Sequence, residues 1–286
     1  MTLRILGLVG ALLLITVEAF AGGTTCATAT ALVPDGRILD LDYVQPNSSA
    51  YYNFSAQAGR SYSIEARDDL DSNNGSPDLA VSYSQNSTCS QALNAVTTGT
   101  YTHSYDYRDT SGLEPSVAPH GFRISLPLPA ADTYTVKVTN SNTAVGHYLS
   151  LSVSETTVYS PEWSTYSGYF GIYTAQNASS GVINGMVTLK LYSGGVPLSP
   201  SPGPGICTGP AASYNFSASA GTTASFNLGN FTGTNLCVAV NQVGVTILAH
   251  DGPPASLVTQ GYLQNNTINP PSATPTIFQP LRQSQH

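Results

Sequence analysis

The segment Tyr51-Tyr-Asn-Phe-Ser-Ala-Gln-Ala-Gly-Arg-Ser-Tyr-Ser-Ile64 carries the pattern that decides the fold. Tyr52 and Phe54 alternate with Asn53 and Ser55, and after Gly59 the alternation resumes through Tyr62 and Ile64. Successive side chains of an extended chain point to opposite sides, so this period of two makes one apolar and one polar face, where a helix would need a repeat near 3.6. Gly59 marks the turn that starts the return strand, which reads as a hairpin. The solution is written twice, because Tyr214-Asn-Phe-Ser-Ala-Ser-Ala-Gly221 matches Tyr52-Asn-Phe-Ser-Ala-Gln-Ala-Gly59 at every position but one. A duplicated domain and a local solution reached twice both account for the echo.

Outward from these segments the same alternation recurs every ten to fifteen residues between Gly, Pro and Asn clusters. In the first half it predicts strands over 38–44, 50–56, 61–67, 78–84, 101–107, 121–126, 132–139 and 146–154. In the second it predicts 169–176, 184–192, 213–217, 222–228, 236–241, 244–249, 255–262 and 276–278. The fold class is therefore all-β, as two tandem β-sandwiches. Charge places the boundary near Thr157: residues 22–157 hold 13 acids and 6 bases, residues 158–286 two of each. The expected units are 22–157 and 158–286, and the joint Ser154-Glu-Thr-Thr-Val-Tyr-Ser-Pro161 is too short for a flexible linker, so the sandwiches should touch.

Across the 286 residues only 9% are charged, with a net charge of −7 and two lysines. Such a chain has no basic stripe for phosphates, which excludes nucleic acid as a partner. Coiled coils and long exposed helices fall too, since their wet faces need Glu, Lys and Arg. The hydrophobic fraction of 41% and the 17 Tyr and 8 Phe argue against disorder.

Residues 1–21 read as a signal peptide. Arg4 supplies the positive start, Ile5 to Val17 an apolar run too short to span a bilayer, and Ala19-Phe20-Ala21 a small-x-small cleavage signal. The expectation is a secreted protein, extracellular or periplasmic, without membrane insertion after cleavage. In that oxidising setting Cys26, Cys89, Cys207 and Cys237 predict disulfides, and of the three possible pairings Cys26–Cys89 with Cys207–Cys237 keeps each bridge within one half.

The first half also carries an ordered set of elements: Asp42-Tyr-Val, Tyr51-Tyr-Asn-Phe54, Ala58-Gly-Arg-Ser-Tyr-Ser-Ile64, Pro77-Asp-Leu-Ala-Val81, Ala131-Asp-Thr-Tyr-Thr-Val-Lys-Val138 and Gly146-His-Tyr-Leu-Ser-Leu151. In this order residues 32–153 resemble the bacterial pre-peptidase C-terminal (PPC) domain, with Ala80 where that family commonly has tyrosine. The resemblance implies a jelly-roll-like sandwich of the kind appended to exported enzymes, some relatives of which bind collagen or calcium. The second half resembles an unnamed small sandwich of bacterial exported proteins.

Two kinds of site stand out. The loop Asp68-Asp-Leu-Asp-Ser-Asn-Asn-Gly-Ser-Pro-Asp78 gathers oxygen ligands suited to calcium, from Asp68, Asp69, Asp71, Asn73 and Asp78. It is not an EF-hand, because Gly75 is displaced by one and position twelve is Ala80; Asp35, Asp40 and Asp42 could add oxygens, and a solvated acidic turn explains the loop equally. The stretch Tyr101-Thr-His-Ser-Tyr-Asp-Tyr-Arg108 puts Tyr101, His103, Tyr105 and Tyr107 on one strand face, where planar rings could stack on sugar or receive a peptide. Trp163 with Tyr159, Tyr166, Tyr169 and Tyr173 forms a second aromatic group near the joint. Ordinary packing accounts for both.

For catalysis the sequence offers little. Its five histidines make no metal-ligand spacing, no Gly-x-Ser-x-Gly elbow occurs, and His250-Asp251-Gly252 reads as a tight turn. The functional expectation is a non-enzymatic binding or accessory protein acting on carbohydrate or protein; a structural or cell-surface scaffold is the alternative, and a hydrolase with an unrecognised site a third.

Overall fold

The computed structural model of the chain describes residues 22–68, 79–85, 94–95, 121–127, 129–192, 212–229, 234–265, 272–276 and 279–280. Among them there is no α-helix, only two single-turn 3₁₀ segments, Cys26–Thr28 and Tyr166–Gly168. The predicted strand over 101–107 and the acidic loop beyond Asp68 lie outside the described residues.

The first half forms β1 (Thr30–Ala31), β2 (Asp35–Val44), β3 (Ser48–Ala56), β4 (Ser61–Asp68), β5 (Leu79–Ser84), β6 (Asn94–Ala95), β7 (Gly121–Pro127), β8 (Asp132–Asn140) and β9 (His147–Glu155). One sheet runs β1-β3-β8-β5-β6 and the other β2-β9-β4-β7. The order 2-9-4-7 against 3-8-5-6 is that of a jelly roll, in which the chain keeps stepping from one sheet to the other. Between the sheets Tyr52, Phe54, Ile64, Val136, Leu149 and Leu151 make one buried core.

From Val158 onward come β10 (Val158–Ser164), β11 (Tyr169–Asn177), β12 (Ile183–Leu191), β13 (Ser213–Ala218), β14 (Thr223–Gly229), β15 (Leu236–Cys237), β16 (Val243–His250), β17 (Leu257–Asn265), β18 (Ser272–Thr276) and β19 (Gln279–Pro280). They build sheets β13-β12-β16-β10-β19 and β15-β14-β11-β17-β18 around a separate core that includes Trp163, Tyr173, Val187, Phe226 and Leu248. This order is not a jelly roll, since β10 pairs with β16 and β11 with β17.

The repeated segment corrects one expectation. β3 and β4 lie in different sheets, as do β13 and β14, so each copy is a corner between sheets and not a hairpin. Gly59 (φ 78°) and Gly221 (φ 70°) supply the left-handed residue that such a corner needs. A second common device is a buried asparagine at a strand end. Asn140 donates to the carbonyls of Val44 and Val145 and accepts from Asn142 N–H; Asn177 donates to those of Gly181 and Ala218 and accepts from Ser179 N–H. Each satisfies one strand-end carbonyl, of Val44 or Ala218, together with one carbonyl of the loop that follows the asparagine's own strand.

β10 was not among the predicted strands. Pro161 removes a ladder donor in its middle, and its pairing with β16 shifts register between Ser160 and Trp163. The two described cysteines, Cys26 and Cys237, are not free thiols, and their partners lie outside the described residues.

Candidate functional site: the outer face of the four-stranded jelly-roll sheet

Tyr62, Ile64 and Ala66 of β4, Ile124 and Leu126 of β7, and Leu149, Leu151 and Val153 of β9 all point into the first core. By alternation their neighbours line the opposite face of the sheet. The ladders order that face in rows. Asp35 pairs with Ser154, Ser154 with Ser63 and Ser63 with Ser125; Ile38 pairs with Ser152, Ser152 with Glu65 and Glu65 with Arg123; Tyr43 pairs with Tyr148.

One end of this face is covered by the second sandwich. Ser125 Oγ and Arg123 Nη1 donate to the carbonyl of Asp251 at 2.6 and 3.2 Å. Ser61 Oγ accepts from His250 N–H at 3.0 Å and from Thr156 Oγ1 at 2.8 Å, while Ser61 N–H donates to Thr157 Oγ1 at 2.8 Å. Beside them the buried Glu155 carboxylate takes Arg60 Nη1 at 2.9 Å and the Tyr159 hydroxyl at 2.6 Å, with the Arg60 guanidinium 5.7 Å from the centre of the Tyr159 ring. Burial, reinforced by Glu155, pushes the Tyr159 hydroxyl far above the ordinary tyrosine value. Burial likewise lowers His250 to about 4, so its ring is neutral and Nδ1 accepts from Gly252 N–H at 3.1 Å. Asp251 spends its carboxylate on the backbone and side-chain N–H groups of Asn184. The polar group His250-Asp251-Gly252 thus caps a strand and ties two sandwiches together.

The other end is open, about 20 Å along β9 by strand rise. There Tyr43 and Tyr148 stay 41% and 45% exposed, their ring centres 5.0 Å apart and their planes at 55°. A cross-strand aromatic pair on a wet sheet face keeps its π surface for a partner. Its placement depends on Gly146, because a Cβ there would run into the Tyr43 ring and hydroxyl. Between the rings and Arg123, which is itself part of the joint, lie the exposed Ile38, the half-buried Ser150 and Glu65 and the buried Ser152, an apolar edge beside hydroxyl and acid groups.

The sites read from the sequence fare differently. Tyr101, His103, Tyr105 and Tyr107 lie outside the described residues, as do Asp69, Asp71, Asn73 and Asp78; Asp68 ends β4 opposite Leu149. Asp42 is buried and committed to the Tyr52 hydroxyl and to Gly22 N–H. Among the described residues no three His, Cys, Asp or Glu side chains group so as to hold a metal. Trp163 is fully buried, and its Nε1 donates to the carbonyls of Lys190 and Val245, so it is a core side chain with no face for a ligand. Tyr173 joins it in the core, Tyr166 is exposed and Tyr159 serves the joint, so that aromatic group is dispersed.

The chain matches no family model. Compared with curated proteins, it again finds no match. Among the described residues no helix is long and apolar enough to cross a membrane.

Proposed function

We propose that this chain is a secreted, non-enzymatic binding protein and that the open sheet face takes carbohydrate. The observation that carries the reading is the exposed Tyr43–Tyr148 pair at the open end of a sheet face that also carries the half-buried Ser150 and Glu65. Sugar rings present apolar C–H faces and a rim of hydroxyls, and an aromatic pair bordered by short polar side chains matches both. In this reading residues 1–21 are removed on export, the mature protein is two units, 22–157 and 158–286, and Cys26–Cys89 and Cys207–Cys237 staple them. The PPC resemblance agrees with a role beside an exported enzyme.

The test is binding of the purified protein to a glycan array and to soluble polysaccharides. Tyr43→Ala and Tyr148→Ala are each expected to weaken binding about tenfold or more. Full retention of glycan binding by the double variant, or self-association with no glycan signal, would overturn the proposal, the second outcome favouring a scaffold.

A further inference from the structure

We infer that cleavage between Ala21 and Gly22 creates an α-ammonium group that forms an ion pair with the buried Asp42 carboxylate, locking the mature amino terminus onto the first sandwich. Gly22 N lies 2.7 Å from Asp42 Oδ2, and Asp42 is 6% exposed. Its described hydrogen-bond donors are Gly22 N–H and the hydroxyl of Tyr52, a side chain with no exposed surface. A carboxylate drawn into such a site gains most from a partner of opposite charge.

The approach of the chain is shaped for glycine. A Cβ on Gly22 would sit 2.7 Å from Tyr52 Cζ and 2.8 Å from Ala50 Cβ, and one on Gly23 would collide with the carbonyl of Thr28. Gly23 is held in place by Tyr51, each N–H donating to the other's carbonyl at 3.0 and 2.8 Å. The nitrogen is therefore positioned before it is charged. Hydrolysis adds water across the Ala21–Gly22 amide, the C–N bond breaks, Ala21 leaves as a carboxylate, and Gly22 N takes up protons to become an ammonium. The agent is a peptidase that reads small-x-small sequences such as Ala19-Phe20-Ala21. A neutral amide donor on Asp42 is exchanged for a charged one, and charge-assisted hydrogen bonds are about twice as strong as neutral ones.

The inference rests on reading residues 1–21 as an export signal, and two measurements separate the failures. Protein made with Gly22 as its first residue is compared with the same protein Nα-acetylated and with one extended by Ala21. The free amine is expected to melt about 3 °C or more above both, and in Asp42→Asn the difference should vanish. Should Asp42→Asn not fold, the comparison of free and acetylated wild type decides alone. The α-amine of the wild type should also acylate about tenfold more slowly than an unpaired terminus, because an amine held as a paired ammonium is a poor nucleophile. Equal melting and equal acylation would overturn the ion pair whatever the processing. N-terminal sequencing of the exported protein that begins anywhere but Gly22 would overturn its formation by maturation.

Discussion

Tyr52–Gly59 and Tyr214–Gly221 differ at a single position, yet they are built into different strand orders. What is common is the corner itself. Phe54 and Phe216 both point into a core, Ala56 and Ala218 are both buried, and both glycines have positive φ. What differs is the first residue. Tyr52 sits on β3, flanked by β1 and β8, and its buried hydroxyl reaches Asp42, whereas Tyr214 on β13 is half-buried and packs against Phe226 at 6.5 Å. The sequence of a corner sets its bend, and the neighbouring strands decide what its outermost side chain does.

The comparison is broken most easily at the phenylalanines. Phe54, against Tyr62 and Tyr134, and Phe216, against Phe226, should each cost about 3–5 kcal/mol on replacement by alanine. Urea denaturation of Phe54→Ala and Phe216→Ala checks this, and a near-zero cost at either site would end the claim that the two corners are packed alike. Tyrosine to phenylalanine sharpens the difference. Tyr52→Phe leaves the Asp42 carboxylate short of a donor and should lose about 1–3 kcal/mol, whereas Tyr214→Phe should stay within about 0.5 kcal/mol. Equal losses in the same denaturation assay would show that burial around Tyr52 does not matter. The smallest effect tests what is shared: nothing lies within 4 Å of a Cβ added at Gly59 or Gly221, so Gly59→Ala and Gly221→Ala should each cost about 1 kcal/mol from backbone strain alone. Unequal costs in thermal melts would mean that the two turns are held differently.

Much of the fold was legible because alternation and turn residues agree along the chain. The reading of 132–139 meets β8 at Asp132–Asn140, and that of 121–126 meets β7 at Gly121–Pro127. Alternation failed where the backbone departs from period two. Pro161 hides β10, and the corners read as hairpins in the sequence because a turn glycine does not say which sheet the next strand joins. The site was harder to read. In β2 the pairing with β9 shifts between Asp35 and Ile38 and again between Leu39 and Asp42, so Ile38 and Tyr43 end on the same wet face while Asp42 and Val44 turn inward. No residue type marks such a bulge in advance. The pairing of Tyr43 with Tyr148 also joins residues more than a hundred positions apart, which only the assembled sheet brings together. Trp163 shows the converse error, since a lone tryptophan near a joint looks like a binding residue until both its faces are accounted for by core.

The joint has a consequence for how the chain meets peptidases. To be cut, a chain must lend a stretch of backbone to the enzyme's cleft in extended form, free of other hydrogen bonds. Between β9 and β10 little is free to lend: Glu155 N–H is given to the carbonyl of Pro34 and Thr156 N–H to that of Ser61, while the side chains of Thr156 and Thr157 are buried against the same serine. The shortest path for severing the two halves is thereby closed while both remain folded, with Ser61 tying down both threonines and Pro34 the residue before them.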